Sequence, residues 1–215
     1  MWYNNPMRDH IFEVGKYYHI YNRGSDRRNI ILDNEDLKRF MQSLVEFNVI
    51  DPIQSIFQQH LKKKLNFSSS TTKKPLVSIV AYCINKNHFH LILSPLVDNG
   101  IEKFMQRVGG YTRYFNEKYD RSGVLFQGRF KSKIIEDNNY LLNLSAYVNF
   151  NNRNENGNLI SEFSKSSLEE YTKDEVKGLC NKEIVLSNFK NKKDYLEFAQ
   201  SSWKETLKRK EEVEF

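Results

Sequence analysis

Hydrophobic and polar positions along the chain repeat with two different periods, and each stretch predicts one element. Tyr17–Asn22 is rich in aromatic and β-branched residues and reads as a strand, broken by Arg23-Gly24-Ser25-Asp26. Asp33 or Asn34 can cap a helix running to about Phe47, with Leu37, Phe40, Met41, Leu44 and Val45 on one stripe. Leu76–Ile84 is an apolar run of strand length, Asn85-Lys86-Asn87 is a short turn, and His88–Leu93 is a second strand, so the two predict a hairpin. Asp98 or Asn99 can cap a helix over Ile101–Tyr119, striped by Ile101, Phe104, Met105, Val108 and Phe115 and weakened by Gly109-Gly110 inside it. After the turn Arg121-Ser122-Gly123, Leu125–Ile135 reads as extended, and Asp137 caps a third helix over Asn139–Asn151.

Two segments fall outside this pattern. Ile50–Pro75 holds Lys62-Lys63-Lys64 and then a Ser/Thr/Lys run, a composition that buries too little apolar surface to pack. Residues 49–75 are therefore expected to be a flexible insertion, a solvated loop whose lysines could also brush phosphates. Past Asn158 the chain is polar and helical, ending in a charged tail from Lys204 to Glu214. The order strand, helix, strand, strand, helix, strand, helix predicts an α+β fold: a ferredoxin-like antiparallel sheet with helices packed on it. The domain ends near residue 157, and residues 158–215 form a helical C-terminal extension.

At 215 residues the chain can bury one sizeable core plus a modest extension. No apolar stretch reaches the length of a membrane span, and Met1–His10 has no signal-peptide core, so a cytoplasmic, nucleoid-associated protein without membrane partners is expected. Cys83 and Cys180 lack metal-type spacing and are expected to be reduced thiols. The net charge of +6 and pI of about 9.1 are compatible with nucleic acid but do not require it. The 12 Tyr and 15 Phe residues supply rings that either fill the core or stack on the bases of a single strand.

Candidate chemistry begins with His88-Phe89-His90. Side chains alternate along a strand, so His88, His90 and Ile92 share one face while Phe89, Leu91 and Leu93 share the other. Two imidazoles on one face can ligate one cation, but such a pair is often only a surface or hydrogen-bonded pair, and a third ligand has to come from elsewhere. On the third helix Leu141, Leu144 and Val148 form a docking stripe, and Tyr147 and Asn151 stand four residues apart on one face. An amide oxygen of Asn151 could complete a metal shell, with the Tyr147 phenol within a turn of it. A tyrosine can attack phosphorus and hold the strand as a covalent ester. Periodicity does not select Tyr147 over Tyr111, Tyr114 or Tyr119.

Five blocks in order carry a resemblance. They are Tyr18-His19-Ile20-Tyr21-Asn22-Arg23-Gly24; Ala81–Ile84 with Asn87-His88-Phe89-His90-Leu91-Ile92-Leu93; Tyr114-Phe115-Asn116; Leu125-Phe126-Gln127-Gly128-Arg129-Phe130-Lys131-Ser132; and Tyr147-Val148-Asn149-Phe150-Asn151. Over roughly residues 15–155 the chain resembles the single-tyrosine HUH transposases of the IS200 type, most closely the REP-associated tyrosine transposases. The resemblance implies an HUH nuclease domain over residues 1–157, with His88 and His90 as metal ligands, Asn151 helping to hold the metal and Tyr147 as nucleophile. It implies Mg²⁺ or Mn²⁺, a 5′-phosphotyrosine intermediate with a free 3′-OH, and single-stranded DNA hairpins or palindromic repeats as partner. A homodimer or a monomer is compatible with it. Two departures stand out: Lys86 where the family usually has Pro before the histidine run, and Asn151-Asn152 where it usually has Asn-Pro.

Arg129, Lys131 and Lys133 alternate on the extended segment and, with Arg23, are the candidates for phosphate contacts; a solubilising strand face is the other reading. His19 reads as a partner behind the site or, more simply, as a satisfied strand histidine. His10 and His60 need no role. Three functions compete: single-strand DNA nicking and strand transfer, a domesticated hairpin-DNA-binding protein with little transfer activity, and a metal-dependent hydrolase using water.

Overall fold

The two apolar runs form the middle of a sheet. In the computed structural model, which describes residues 11–53, 74–176 and 178–213, they are β2 (Val77–Ile84) and β3 (His88–Pro95), paired antiparallel across the Asn85–Asn87 turn. β1 (Tyr17–Arg23) pairs with β3, β4 (Lys131–Ile135) pairs with β1, and the short β5 (Lys165–Ser166) pairs with β2. The order is β4-β1-β3-β2-β5 and every pair is antiparallel. Its first four strands have the ferredoxin-like arrangement expected from the order of elements.

Helices cover both faces. α1 (Asn34–Glu46) links β1 to β2, while α2 (Gly100–Val108) and α3 (Tyr111–Lys118) link β3 to β4. These three pack with Tyr18, Ile20, Phe89, Leu91 and Leu93 into a first core. The opposite face is covered by α4 (Asn138–Phe150) and the long α7 (Lys192–Val213), packed with Val80, Ala81, Cys83 and Ile92. A β-bulge between Ile79 and Ala81 shifts the register on β3. One extra residue reverses the alternation, so Ile79 and Tyr82 face the first core while Val80, Ala81 and Cys83 face the second.

Three sequence expectations shift in detail. The helix expected over Ile101–Tyr119 is two helices, because Gly109 and Gly110 tighten the chain into i−3 bonds: Gly110 N–H donates to Arg107, and Thr112 N–H to Gly109. The extended segment expected from Leu125 becomes a strand only at Lys131; Gly128, at φ 67°, breaks it, leaving a single bridge between Phe126 and Gly24. Asn99 stands at the start of α2 in a left-handed conformation, without a side-chain cap.

The segment beyond residue 157 adds β5, the short helices α5 (Leu168–Thr172) and α6 (Glu183–Leu186), and α7. Tyr195, Ala199 and Trp203 of α7 are buried in the second core. Within the expected insertion, residues 54–73 lie outside the described residues; its two ends meet, with Ile50 N–H donating to the Lys74 carbonyl at 2.8 Å. Cys83 and Cys180 are free thiols. Among the described residues no helix is long and apolar enough to cross a membrane.

Asp33 caps α1 as expected, accepting from Asp36 N–H at 2.9 Å, and also accepts from Lys118 Nζ at 2.7 Å. The hydrogen bond from Lys118, followed by that from the Asp36 backbone, lowers its pKa from 3.8 to about 2. A depressed carboxylate stabilises the fold above its unfolded pKa, and that contribution is lost as pH falls from about 3.8 to about 2. Asp33→Ala should cost about 1 kcal/mol in urea unfolding at pH 7. The difference from the parent protein should shrink as the pH is lowered through that window.

Candidate active site

The hairpin delivers the histidines. Strand alternation turns Phe89 and Leu91 into the first core and leaves His88 and His90 on the face that α4 covers. The turn before them is held by the β1–α1 connection: the Lys86 carbonyl accepts from Ile30 and Ile31 N–H at 2.7 and 3.0 Å, and Asn87 O accepts from Gly24 N–H at 2.8 Å. Those bonds fix the turn that lacks the family's proline.

The helix is positioned as tightly. Asp137 caps α4 by accepting from Tyr140 N–H at 2.7 Å. Leu141, Leu144 and Val148 are buried in the second core, the expected stripe. On the far side Asn149 is fully buried, its amide donating to Tyr195 Oη at 2.7 Å and accepting from Ser167 Oγ at 2.5 Å. The helix is thus wedged between sheet and α7, with rotation about its axis restrained by buried polar contacts. The Asn152 carbonyl, where the family's second proline would fall, accepts from Ile160 N–H at 2.9 Å.

This orientation aims Tyr147 and Asn151 at the imidazoles. Asn151 Oδ1 lies 2.9 Å from His88 Nε2, and the Tyr147 ring meets His90 edge-on with centroids 5.4 Å apart. Burial raises the Tyr147 pKa, and a hydrogen bond with the Asn151 side chain partly offsets that. Phenol and imidazoles meet within one chain. Behind them, His19 Nε2 lies 2.9 Å from His90 Nδ1. Burial, then the charge of Lys133, lowers the His19 pKa to about 4, so His19 is neutral at neutral pH. Either ring can be the donor in this bond; when His90 Nδ1–H donates to His19, the lone pair of His90 falls on Nε2, the tautomer a metal ligand needs. The contact fits both readings of His19, as a partner behind the site and as a satisfied strand histidine.

The donors suit a divalent cation. Two octahedral ligands at about 2.1 Å from an ion stand about 3.0 Å apart, matching the 2.9 Å between His88 Nε2 and Asn151 Oδ1. Among the described residues no three His, Cys, Asp or Glu side chains converge on a metal position; the neutral donors that could hold a cation here are His88, His90 and the amide oxygen of Asn151. Asn85 holds that amide, donating to Asn151 Oδ1 at 2.7 Å, and lies 3.0 Å from His88 Nε2.

His88 stands between two cavities. One, of about 480 Å³, is lined by His88, His90, Tyr21, Arg23, Arg27 and Lys131 among others. The other, of about 470 Å³, is lined by His88, Tyr147, Asn151, Arg153 and the α7 residues Trp203 and Leu207. Arg23 stands opposite His88 in register, and Lys131 opposite Tyr21. Lys133 stands opposite His19, its ammonium 5.0 Å from the centre of the Tyr140 ring. Arg129 is exposed, precedes β4 and does not line either cavity.

The family model for the IS200-like transposases matches residues 14–151, well over half of the chain. The chain belongs to that family. No curated protein matches it. Among solved structures it is similar to a REP-associated tyrosine transposase bound to a REP hairpin, at 12% identity and a TM-score of 0.43, over 67% of this chain and 70% of the other.

In this IS200-like transposase the rival tyrosines lie across the sheet from the imidazoles. Tyr111 is buried in the first core, donating to the Ile30 carbonyl at 2.6 Å, while Tyr114 and Tyr119 bond Asp36. Periodicity could not separate them from Tyr147, because the face of the sheet on which a helix lands is a tertiary fact. The sequence reading missed Asn85, taken only as a turn residue, and Trp203, whose ring lies 6.0 Å from that of Tyr147. A polar residue directly after the apolar run of β2 was the available signal for Asn85; Trp203 lies beyond every matched block and gave none. Truncating a buried Trp typically costs about 3–5 kcal/mol. Trp203→Ala should lose that much in chemical denaturation, in one transition with the sheet, because α7 is part of the second core.

Proposed function

We propose that this transposase nicks single-stranded DNA, in hairpin or palindromic form, and rejoins it through a covalent bond to Tyr147. The observation that carries the reading is the meeting of the Tyr147 phenol with His90 and Asn151, beside the two histidines that also line the cationic cavity. Tyr147 Oη attacks the phosphorus, the P–O3′ bond breaks, and the 5′ end is held as a tyrosyl phosphate ester. The phenol stays protonated until attack because burial raises its pKa; its proton is returned to the departing 3′-oxygen. Attack by a 3′-OH on the ester reverses the step, so rejoining needs no nucleotide triphosphate. Asn151 orients the phenol, and His19 braces the His90 ring. Mg²⁺ or Mn²⁺ held by His88, His90 and Asn151 would polarise the phosphoryl oxygens and offset developing charge. Arg23 and Lys131 contact backbone phosphates from within the cavity, with Lys133 and Arg129 further along the same path.

The deciding assay mixes labelled single-stranded hairpin DNA with protein and Mn²⁺ and resolves products on denaturing gels. A protein–DNA adduct that disappears in Tyr147→Phe is expected. Cleavage surviving that change points to hydrolysis by water, and binding without cleavage to a DNA-binding module. Imidazole nitrogens favour Mn²⁺ over Mg²⁺, so adduct formation should saturate at lower Mn²⁺ than Mg²⁺. Asn85→Ala, which releases Asn151, should raise the Mn²⁺ needed about 10–100-fold in the same assay.

A further inference from the structure

The cavity between β1, β4 and the hairpin turn has features that phosphate contacts alone do not require. Its volume of about 480 Å³ is that of a small-ligand site. Three cationic side chains, Arg23, Arg27 and Lys131, line it, and among the described residues no carboxylate does. Its aromatic wall is Tyr21, half-exposed, with its ring stacked on His19 at 4.8 Å and lying within 22° of the plane of His90. Arg23 and Gln127 are joined at the rim, Arg23 Nε donating to Gln127 Oε1 at 2.6 Å, which leaves amide and guanidinium N–H groups to donate.

The turn that presents Arg27 is strained. Asp26 and Arg27 are consecutive non-glycine residues in the left-handed region, at φ 53° and 58°. Such residues persist where surrounding structure over-determines them, and they gather at ligand sites. Here a Cβ on Gly24 would stand 2.1 Å from the Arg28 carbonyl, and Ser25 N–H is tied to the Leu125 carbonyl at 2.9 Å. The chain thus bends sharply around a point with no side chain and turns Arg27 into the cavity.

We infer that this cavity seats one unstacked nucleotide next to the phosphate that is cut. Its base lies on Tyr21, its edge is met by the Gln127 amide, and its phosphate is held by Arg23, Arg27 and Lys131. The inference rests on the strand-transfer reading for its place beside the cut, but not for its ligand. A base on Tyr21 adjoins His90, the cross-strand neighbour of Tyr21, so the seat sets the distance from the bound base to the imidazole pair.

The test is an NMR titration of the metal-free protein with dTMP, dAMP and deoxyribose 5-phosphate. The amides of Tyr21, Arg23, Arg27 and Gln127 should shift, and the sugar phosphate should bind at least about tenfold more weakly than either nucleotide, as loss of one base stack implies. Tyr21→Leu should abolish that preference, while Arg27→Gln should weaken all three ligands alike. Arg27→Gly separates site from scaffold: it relieves the strained φ, so the melting temperature should hold or rise by a few degrees while nucleotide affinity falls. Equal binding of sugar phosphate and nucleotides, shifts confined to other residues, or a fall in melting temperature with affinity unchanged would each overturn the inference. Because no cleavage is involved, nucleotide binding by a protein that forms no DNA adduct would refute strand transfer and leave the seat standing.

Discussion

The contact between Asn151 Oδ1 and His88 Nε2, at 2.9 Å, ties the helix that carries the tyrosine to the strand that carries the histidines. Everything chemical in the molecule depends on that junction. The sheet contributes the parity that leaves two imidazoles on one face. The second core contributes a helix whose rotation is restrained, because Asn149 is bonded on one side to Tyr195 and on the other to Ser167. Asn85, at the start of the hairpin turn, holds the amide of Asn151 from below. Each of these supports is buried, where an amide that loses its partner is costly, so the site is organised before any substrate or cation arrives.

The site lies between two surfaces of different character. Toward β1 and β4 the sheet face is open, cationic and aromatic, the combination that attracts a phosphate backbone and stacks bases. Toward α7 the tyrosine is covered by Trp203 and the start of the post-helix loop. The segment after residue 157 therefore serves the site from outside the matched family region, by walling Tyr147 and by clamping α4.

Much of this was legible in the sequence. Period-two alternation in His88–Leu93 placed the two imidazoles on one face, and the four-residue spacing of Tyr147 and Asn151 placed them together; both depend only on local geometry. Asp33 and Asp137 announced their helices by capping chemistry. What local patterns could not show was set by long-range packing. The bulge after Ile79 reverses the facing of Ala81–Ile84 without any glycine or proline to signal it. His19 bonds to His90 across 71 positions of sequence. The rival tyrosines are set apart from the imidazoles only by the side of the sheet on which α3 lands. The glycine pair at 109–110, read as a weak point, ends one helix and begins another.

The most direct test of the central claim is peptide mapping by mass spectrometry of the protein trapped on single-stranded hairpin DNA with Mn²⁺. A nucleotide phosphate attached to the Oη of Tyr147, and to no other tyrosine, is the result this account predicts. Attachment at Tyr21, Tyr111, Tyr114 or Tyr119, or cleaved DNA with no modified tyrosine, would contradict it.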